Sequence, residues 1–402
     1  MRATSPRSTR VSPRRPCHRE GAATGADIHP VRVAHVGKFY PPVAGGIERV
    51  VESLCAVTKG RLDNRVLAFS TGRRTISEAI DGVPVTRVAT WGSAGSVPIA
   101  PAFPAHVAKI DADVMILHEP NPWALLSYAA VRPRLPLAIW LHSDVVRPAL
   151  QYQLFYAPIA RPAYRAAARF LVASPALADH ATALQPFRDR VTVIPYGIDV
   201  DRWRPTEEVR RRADEICRRA GRPIVLFAGR HVPYKGVPVL IEAAAPLDVE
   251  VVIAGDGPMR ESWSARARSQ AGAARFSFPG EVDDQELRAL FVASRMFVLP
   301  SVTRAEAFGY VQLEAMACGT AVISTSVPTG VPWVNETGLV VPPNDVEALR
   351  HAIERLVADP ELTSRLGALG EARARTEFSM RAMGDRFVAV CRELARTGRH
   401  GS

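Results

Sequence analysis

Residues 296–319 read MFVLPSVTRAEAFGYVQLEAMACG. The apolar run Met296–Leu299, closed by Pro300 and Ser301, predicts a buried strand. After Gly309 the spacing of Val311, Leu313, Ala315 and Met316 predicts a helix that stops at Gly319. Strand, turn and helix in that order form the repeating unit of an open parallel sheet, and its turns face the crevice at the carboxyl ends of the strands. Glu306, Ala307, Phe308 and Gly309 are therefore expected in that crevice, where free helix N–H groups favour an anion. Glu306 falls on the turn and Glu314 inside the helix. Eight helical residues would separate them by about 12 Å. That is too far for the paired carboxylates of a retaining glycosidase, at about 5 Å, but it suits the two ends of one extended ligand. The competing reading is two solvated glutamates on a helix face.

The same unit recurs outward in both directions. Ile224–Phe227 predicts a strand, ended by Ala228, Gly229, Arg230, His231, Val232, Pro233, Tyr234, Lys235 and Gly236 before another helical pattern. Val251–Ala254 ends in Gly255, Asp256, Gly257 and Pro258, and further strands are expected at Ala321–Ser324 and Gly338–Val341. Towards the N-terminus, Val31–Gly37 leads through Gly45 and Gly46 into a helix carrying Val50, Val51, Leu54 and Val57 on one face. Glycines there let backbone approach a bound group, although ordinary turn chemistry explains a glycine pair equally. Strands are also expected at Val66–Phe69, Val83–Val88, Val114–Leu117, Leu137–Leu141, Phe170–Ala173 and Val191–Ile194. His118 and Glu119 follow one strand end and His142, Ser143 and Asp144 another, so all five are expected to face the crevice. The alternation predicts an α/β protein of two Rossmann-like, doubly wound domains facing a cleft, over residues 31–200 and 201–380, behind a disordered basic tail at 1–30.

With 402 residues, two domains have room for substantial cores. A net charge of +11 points to nucleic acid, an anionic membrane face or phosphorylated ligands, without choosing among them. Five scattered cysteines with no C-x-x-C pair fit reduced thiols in a cytoplasm better than a disulfide framework or a zinc site. No apolar run reaches the roughly 18 residues of a membrane span, and no secretory segment is evident. Gln151–Arg169 mixes Tyr152, Phe155, Tyr156 and Tyr164 with Arg161, Arg165 and Arg169. Such a mixture suits peripheral contact with an anionic membrane, or equally an ordinary surface helix.

Arg230 and Lys235 share one turn ahead of a helix, where each could give a phosphate a charge-assisted hydrogen bond. A diphosphate held there is a suitable leaving group, because negative charge grows on it as the bond breaks. No metal is expected: H-E-x-x-H is absent, and of the D-x-D pairs Asp111/Asp113 precedes its strand, away from the crevice, and Asp199/Asp201 opens a charged linker, so both read as solvated turn acids.

Taken together, GGIE at Gly45–Glu48, LHSD at Leu141–Asp144, VIPYGID at Val193–Asp199, AGRHVPYKG at Ala228–Gly236, AGDGP at Ala254–Pro258 and EAFGYVQLE at Glu306–Glu314 resemble the retaining, GT-B-fold glycosyltransferases of family 4. The resemblance spans about residues 31–381. It implies that Arg230 and Lys235 hold the donor diphosphate, Glu306 the sugar hydroxyls and Glu314 the ribose. It further implies that Phe308 and Gly309 offer backbone N–H groups, that His142 lines the reaction centre, and that Gly45, Gly46, Gly229 and Gly257 bring backbone close to the substrates. The helix at 381–402 would cross back onto the first domain. The expected activity is metal-independent transfer of a hexose, mannose before others, from GDP-mannose or a UDP-sugar to a lipid-linked saccharide or polysaccharide, with no cofactor. A sugar-nucleotide epimerase or phosphorylase of similar fold is the nearest alternative, and a basic nucleic-acid binder the third. The chain departs from the family's frequent G-x-P-V after the second glutamate, having Gly319, Thr320, Ala321 and Val322, and its loop over Thr329–Gly338 looks short.

Overall fold

The computed structural model describes residues 29–43, 45–95, 97–143, 156–270 and 272–399. Most of the expected tail, Asp144 and residues 145–155 lie outside that set.

The first sheet contains β1 (Val31–Val36), β2 (Leu62–Phe69), β3 (Ile76–Ile80) and β4 (Val83–Val88). After a separate small hairpin of β5 (Gly92–Ala94) and β6 (Val97–Ile99), it continues with β7 (Val114–Glu119), β8 (Leu137–Leu141), β9 (Arg169–Val172) and β10 (Val191–Val193). Its order is β10-β9-β8-β7-β1-β2-β4-β3, parallel throughout except for β3 against β4. The second sheet holds β11 (Ile224–Ala228), β12 (Glu250–Ala254), β13 (Arg275–Gly280), β14 (Met296–Leu299), β15 (Val322–Thr325) and β16 (Leu339–Val341). Its order, β13-β12-β11-β14-β15-β16, is wholly parallel and reverses between β11 and β14. That is the Rossmann order, and a crevice opens where the order reverses. Both sheets have continuous apolar strands because helices cover both faces: β8 and β11 are buried at every residue.

Sequence reading misses β3 and β13, for different reasons. Ile76–Ile80 is an edge strand exposed at its first four positions, so it carries no apolar pattern. Arg275–Gly280 contains Pro279 and Gly280, which an edge strand tolerates. The helix Pro360–Glu377 is also missed, because glycine interrupts its pattern. Gly367 there has a packing purpose: a Cβ would lie 2.1 Å from the Gly319 carbonyl oxygen.

Among the contacts that hold the domains together, two are made by the chain from Phe378 onward. Ile198 donates its N–H to the Phe378 carbonyl at 2.7 Å and accepts from Met380 N–H at 3.0 Å. The C-terminal helix Met380–Arg399 then packs on the first domain, against the helix Gly46–Val57 and β1. Arg61 pairs with Asp385 and Arg169 with Glu393 across this contact, and Phe387 stacks on His35.

Two surface stretches can be described further. In the described part of the basic aromatic stretch, Tyr156 and Tyr164 are both buried, Tyr156 donating to Glu119 and Tyr164 packing on Phe170 and Phe187. Within the helix Ala157–Ala166, Tyr164 therefore faces the core, as an ordinary surface helix requires. Asp111 and Asp113 are likewise not merely solvated: both clamp Arg32 at the start of β1, and Asp111 also pairs with Arg65. Among the described residues no helix is long and apolar enough to cross a membrane.

Candidate active site

The carboxyl ends of β11 and β14, the two strands at the reversal, carry the turns 229–236 and 300–309. Gly236 joins them: at φ +69° it has no room for a Cβ, which would fall 2.0 Å from the Pro300 carbonyl oxygen. Val302 N–H also reaches the Tyr234 carbonyl at 2.9 Å. Across this contact Lys235 Nζ donates to Glu306 Oε2 at 2.5 Å, and Ser301 Oγ lies 3.3 Å from the same oxygen. Only about a tenth of each charged side chain is exposed, 10% and 11%. A charge pair this dry needs its partner, since either charge alone would be strongly disfavoured.

In front of the pair lies a cleft of about 1140 Å³ between the domains. Gly45, Gly46, His142, Arg230, Glu306, Phe308 and Gly309 all line it, so the structure gathers seven of the residues singled out by sequence. Gly309 stands at φ +71° as N-cap of the helix Tyr310–Ala317, a left-handed conformation that favours glycine. Gly46 likewise begins the helix Gly46–Val57 at the opposite wall.

Ser143 and Ala307, also expected in the crevice, line the cleft too, whereas Lys235, Gly229, Gly257, Glu314, His118 and Glu119 sit elsewhere. Lys235 lies beneath the cleft wall on Glu306. Gly229 and Gly257 shape the turns instead of lining the cleft: Gly255 approaches the Gly229 carbonyl, and a Cβ on Gly257 would meet the His231 backbone at 2.6 Å. Glu314 lines an adjoining hollow of about 710 Å³ with Arg49, Arg202, Asp284 and Tyr310. Arg49, Glu52, Ser53 and Tyr310 line both spaces, which makes them neighbours. Burial pushes the Glu314 carboxyl up to about 7, with Arg49 opposing. His118 and Glu119, expected to face the crevice, are instead wholly inside the first domain, because they belong to the central strand β7 itself. Burial raises the Glu119 carboxyl to about 7, partly offset by the Tyr156 hydroxyl.

Sequence reading gave no separate role to Tyr196, Arg49 or Tyr310, which also line the cleft. Tyr196 packs on Phe308 with ring centroids 4.8 Å apart and hydrogen-bonds His142 at 2.7 Å. Tyr310 donates its hydroxyl to the Gly197 carbonyl at 2.8 Å, spanning the two domains. Their polar tips on apolar rings at the end of β10 and the start of a helix were the available signal. Among the described residues no group of three or more His, Cys, Asp and Glu side chains is placed to hold a metal ion.

Two Rossmann-like domains, a cleft between them, and a lysine–glutamate pair at the switch point define the architecture of a GT-B glycosyltransferase. Residues 211–373 match the model of the glycosyl transferases group 1, and residues 45–197 that of the glycosyl transferase 4-like domain. The chain is 32% identical over 358 residues to the D-rhamnosyltransferase WbpZ of Pseudomonas aeruginosa, covering 87% of this chain and 92% of that protein. It is 29% identical over 367 residues to the O-antigen chain mannosyltransferase C of Escherichia coli, covering 89% and 97%. Among solved structures, Anabaena Alr3699/HepE in complex with UDP superposes with a TM-score of 0.72 at 20% identity, over 90% of this chain and all of that one. The chain belongs to the group 1, family 4-type GT-B glycosyltransferases.

Proposed function

We propose that the cleft binds a nucleoside-diphosphate sugar and passes its hexose, with retained configuration, to a hydroxyl of a lipid-linked saccharide or polysaccharide. The observation behind this reading is the Lys235–Glu306 pair at the β11/β14 switch point, with Arg230 on the cleft wall beside it. A diphosphate arriving there meets Arg230 directly and offers Lys235 a second anionic partner. Glu306 lies at the sugar end, where its other oxygen can accept from a hydroxyl. On this reading Glu314, about a helix length away, accepts from the ribose.

In the reaction the bond from the anomeric carbon to the phosphate oxygen breaks as a bond to the acceptor oxygen forms on the same face. The departing phosphate oxygen takes the acceptor proton, so no side chain need be nucleophile or base. Arg230 and Lys235 neutralise the growing charge, and the scheme calls on no metal ion or cofactor. Several relatives support a mannosyl donor: the Escherichia coli relative is named a mannosyltransferase, and one from Mycolicibacterium smegmatis a GDP-mannose-dependent mannosyltransferase. HepE, crystallised with UDP and with UDP-glucose, keeps UDP-sugars in view. Incubating the protein with a panel of sugar nucleotides and following nucleoside-diphosphate release tests the reading. GDP-mannose turnover that depends on Lys235 is expected. Conversion of a donor to another sugar nucleotide without an acceptor would identify an epimerase instead.

A further inference from the structure

Behind the cleft, side chains on β7, β1 and β2, with His142 just after β8, Tyr196 after β10 and Thr58 at the end of the helix Gly46–Val57, form one continuous hydrogen-bonded row. Tyr196 OH lies 2.7 Å from His142 Nδ1, His142 Nε2 lies 2.9 Å from His118 Nδ1, and His118 Nε2 lies 3.1 Å from His35 Nδ1. His35 Nε2 then lies 3.2 Å from Asn64 Oδ1, Asn64 Nδ2 donates to Thr58 Oγ1 at 2.8 Å, and Thr58 donates to the Leu54 carbonyl at 2.7 Å. Every member is buried, with 0–9% exposed. The three imidazoles also stack, at centroid spacings of 5.4 and 5.2 Å.

The far end sets the direction. A carbonyl oxygen only accepts, so Thr58 spends its one hydrogen on Leu54 and must accept from the Asn64 amide. This fixes Asn64 Oδ1 towards His35, which must therefore carry its hydrogen on Nε2. A neutral imidazole has one donor and one acceptor nitrogen, so His35 Nδ1 accepts from His118 Nε2, and His118 Nδ1 from His142 Nε2. His142 Nδ1 then accepts from Tyr196. Burial holds the rings neutral, pulling His35 to about 4 and His142 to about 3, and His118 well below its ordinary value. Because the row ends on a backbone carbonyl inside the protein, it cannot deliver a proton anywhere.

We propose that this row is a fixed one-way dipole that makes Tyr196 an obligate hydrogen-bond acceptor in the cleft, selecting a substrate hydroxyl there and excluding phosphate. Both ring nitrogens of His142 are spent inside the protein, so His142 orients Tyr196 and gives no ring N–H to a ligand. Asn64, His35 and His118 are positioning residues, reaching the cleft only through this row. The row's direction stands independently; that its ligand is a sugar hydroxyl rests on the transferase reading above.

Nitrogen-15 spectra of histidine-labelled full-length protein test it, with the three rings assigned from His35→Asn, His118→Asn and His142→Asn. Wild type is expected to show only the Nε2–H tautomer at all three. In Asn64→Leu, which removes the acceptor that sets the direction, a second tautomer should appear at His142. An Nδ1–H tautomer at any of the three rings in wild type, or an unchanged His142 in a folded Asn64→Leu, overturns the proposal. Tyr196→Phe provides the kinetic arm. It should raise KM for one sugar substrate about 3–10-fold, the worth of one hydrogen bond, while leaving the affinity for UDP and GDP as in wild type. Equal weakening of the free nucleoside diphosphates would contradict a hydroxyl-selecting role. If wild type cleaves no sugar nucleotide, the transferase reading fails while the tautomer measurement still decides the row.

Discussion

Replacing Lys235 by methionine leaves Glu306 as an unpaired charge with 11% of its side chain exposed. At the observed 2.5 Å, and an effective dielectric of about 20, the lost attraction is of order 6 kcal/mol. Partial rehydration and Ser301 reduce this, and removal of one partner from a buried pair typically costs about 3–5 kcal/mol. For a domain of this size that lowers the melting temperature by roughly 6–20 °C. Turnover should fall about 100–1000-fold, because the cation proposed to neutralise the leaving group is gone. Lys235→Met with Glu306→Leu separates the two effects. An apolar pair of similar volume is often as stable as the ion pair it replaces, so the double variant should recover most of the melting temperature and none of the turnover. Thermal unfolding and donor cleavage measured on wild type, both single variants and the double variant check this. Lys235→Met melting with wild type, or turnover returning together with stability in the double variant, would refute the reasoning.

Glu314 carries a pH signature. Its folded pKa, raised by burial to about 7, stands above the ordinary 4.5, so its neutral form favours folding at low pH and that contribution is lost as pH rises from about 4.5 to 7. Glu314→Gln should therefore melt above wild type at pH 8 and close to it at pH 5, whereas a constant offset in the unfolding curves would mean that the carboxyl is not buried in solution. The two switch-point turns depend on Gly236, where alanine adds a left-handed backbone cost to a backbone clash, about 2–5 kcal/mol together, and should also cut turnover. Gly221 has a similar φ of +65° but open space around its Cβ position, so Gly221→Ala should cost only about 1–2 kcal/mol and spare turnover; equal losses in chemical denaturation would undo this distinction.

How much of this was legible in advance follows from how locally each feature is encoded. Strands buried on both faces, such as Leu137–Leu141 and Met296–Leu299, announce themselves as unbroken apolar runs, and the turns after them contain most of the cleft residues. The edge strands β3 and β13 and the helix Pro360–Glu377 gave no comparable pattern. The site was partly legible: Glu306, Lys235 and Arg230 stood out as charges in turns after apolar strands. That Lys235 and Glu306 face each other is a long-range fact, 71 residues apart in sequence, and no local spacing encodes it. The histidine row is hidden for the same reason. His35, His118 and His142 meet only because β1, β7 and β8 are sheet neighbours, an order the sequence does not spell out. His118 was misplaced to the crevice because an apolar run does not reveal that its strand continues through the two polar residues after it.

The proposed cleft breaks a sugar–diphosphate bond and keeps the configuration of the sugar. Proton NMR of the anomeric signals during the first turnovers of GDP-mannose tests this most directly, with UDP-glucose as the parallel donor. The expected result is that the transferred or released hexose appears first as the α-anomer, and that Lys235→Met abolishes its appearance. First appearance of the β-anomer, or wild type leaving every sugar nucleotide intact with acceptor present, would contradict it.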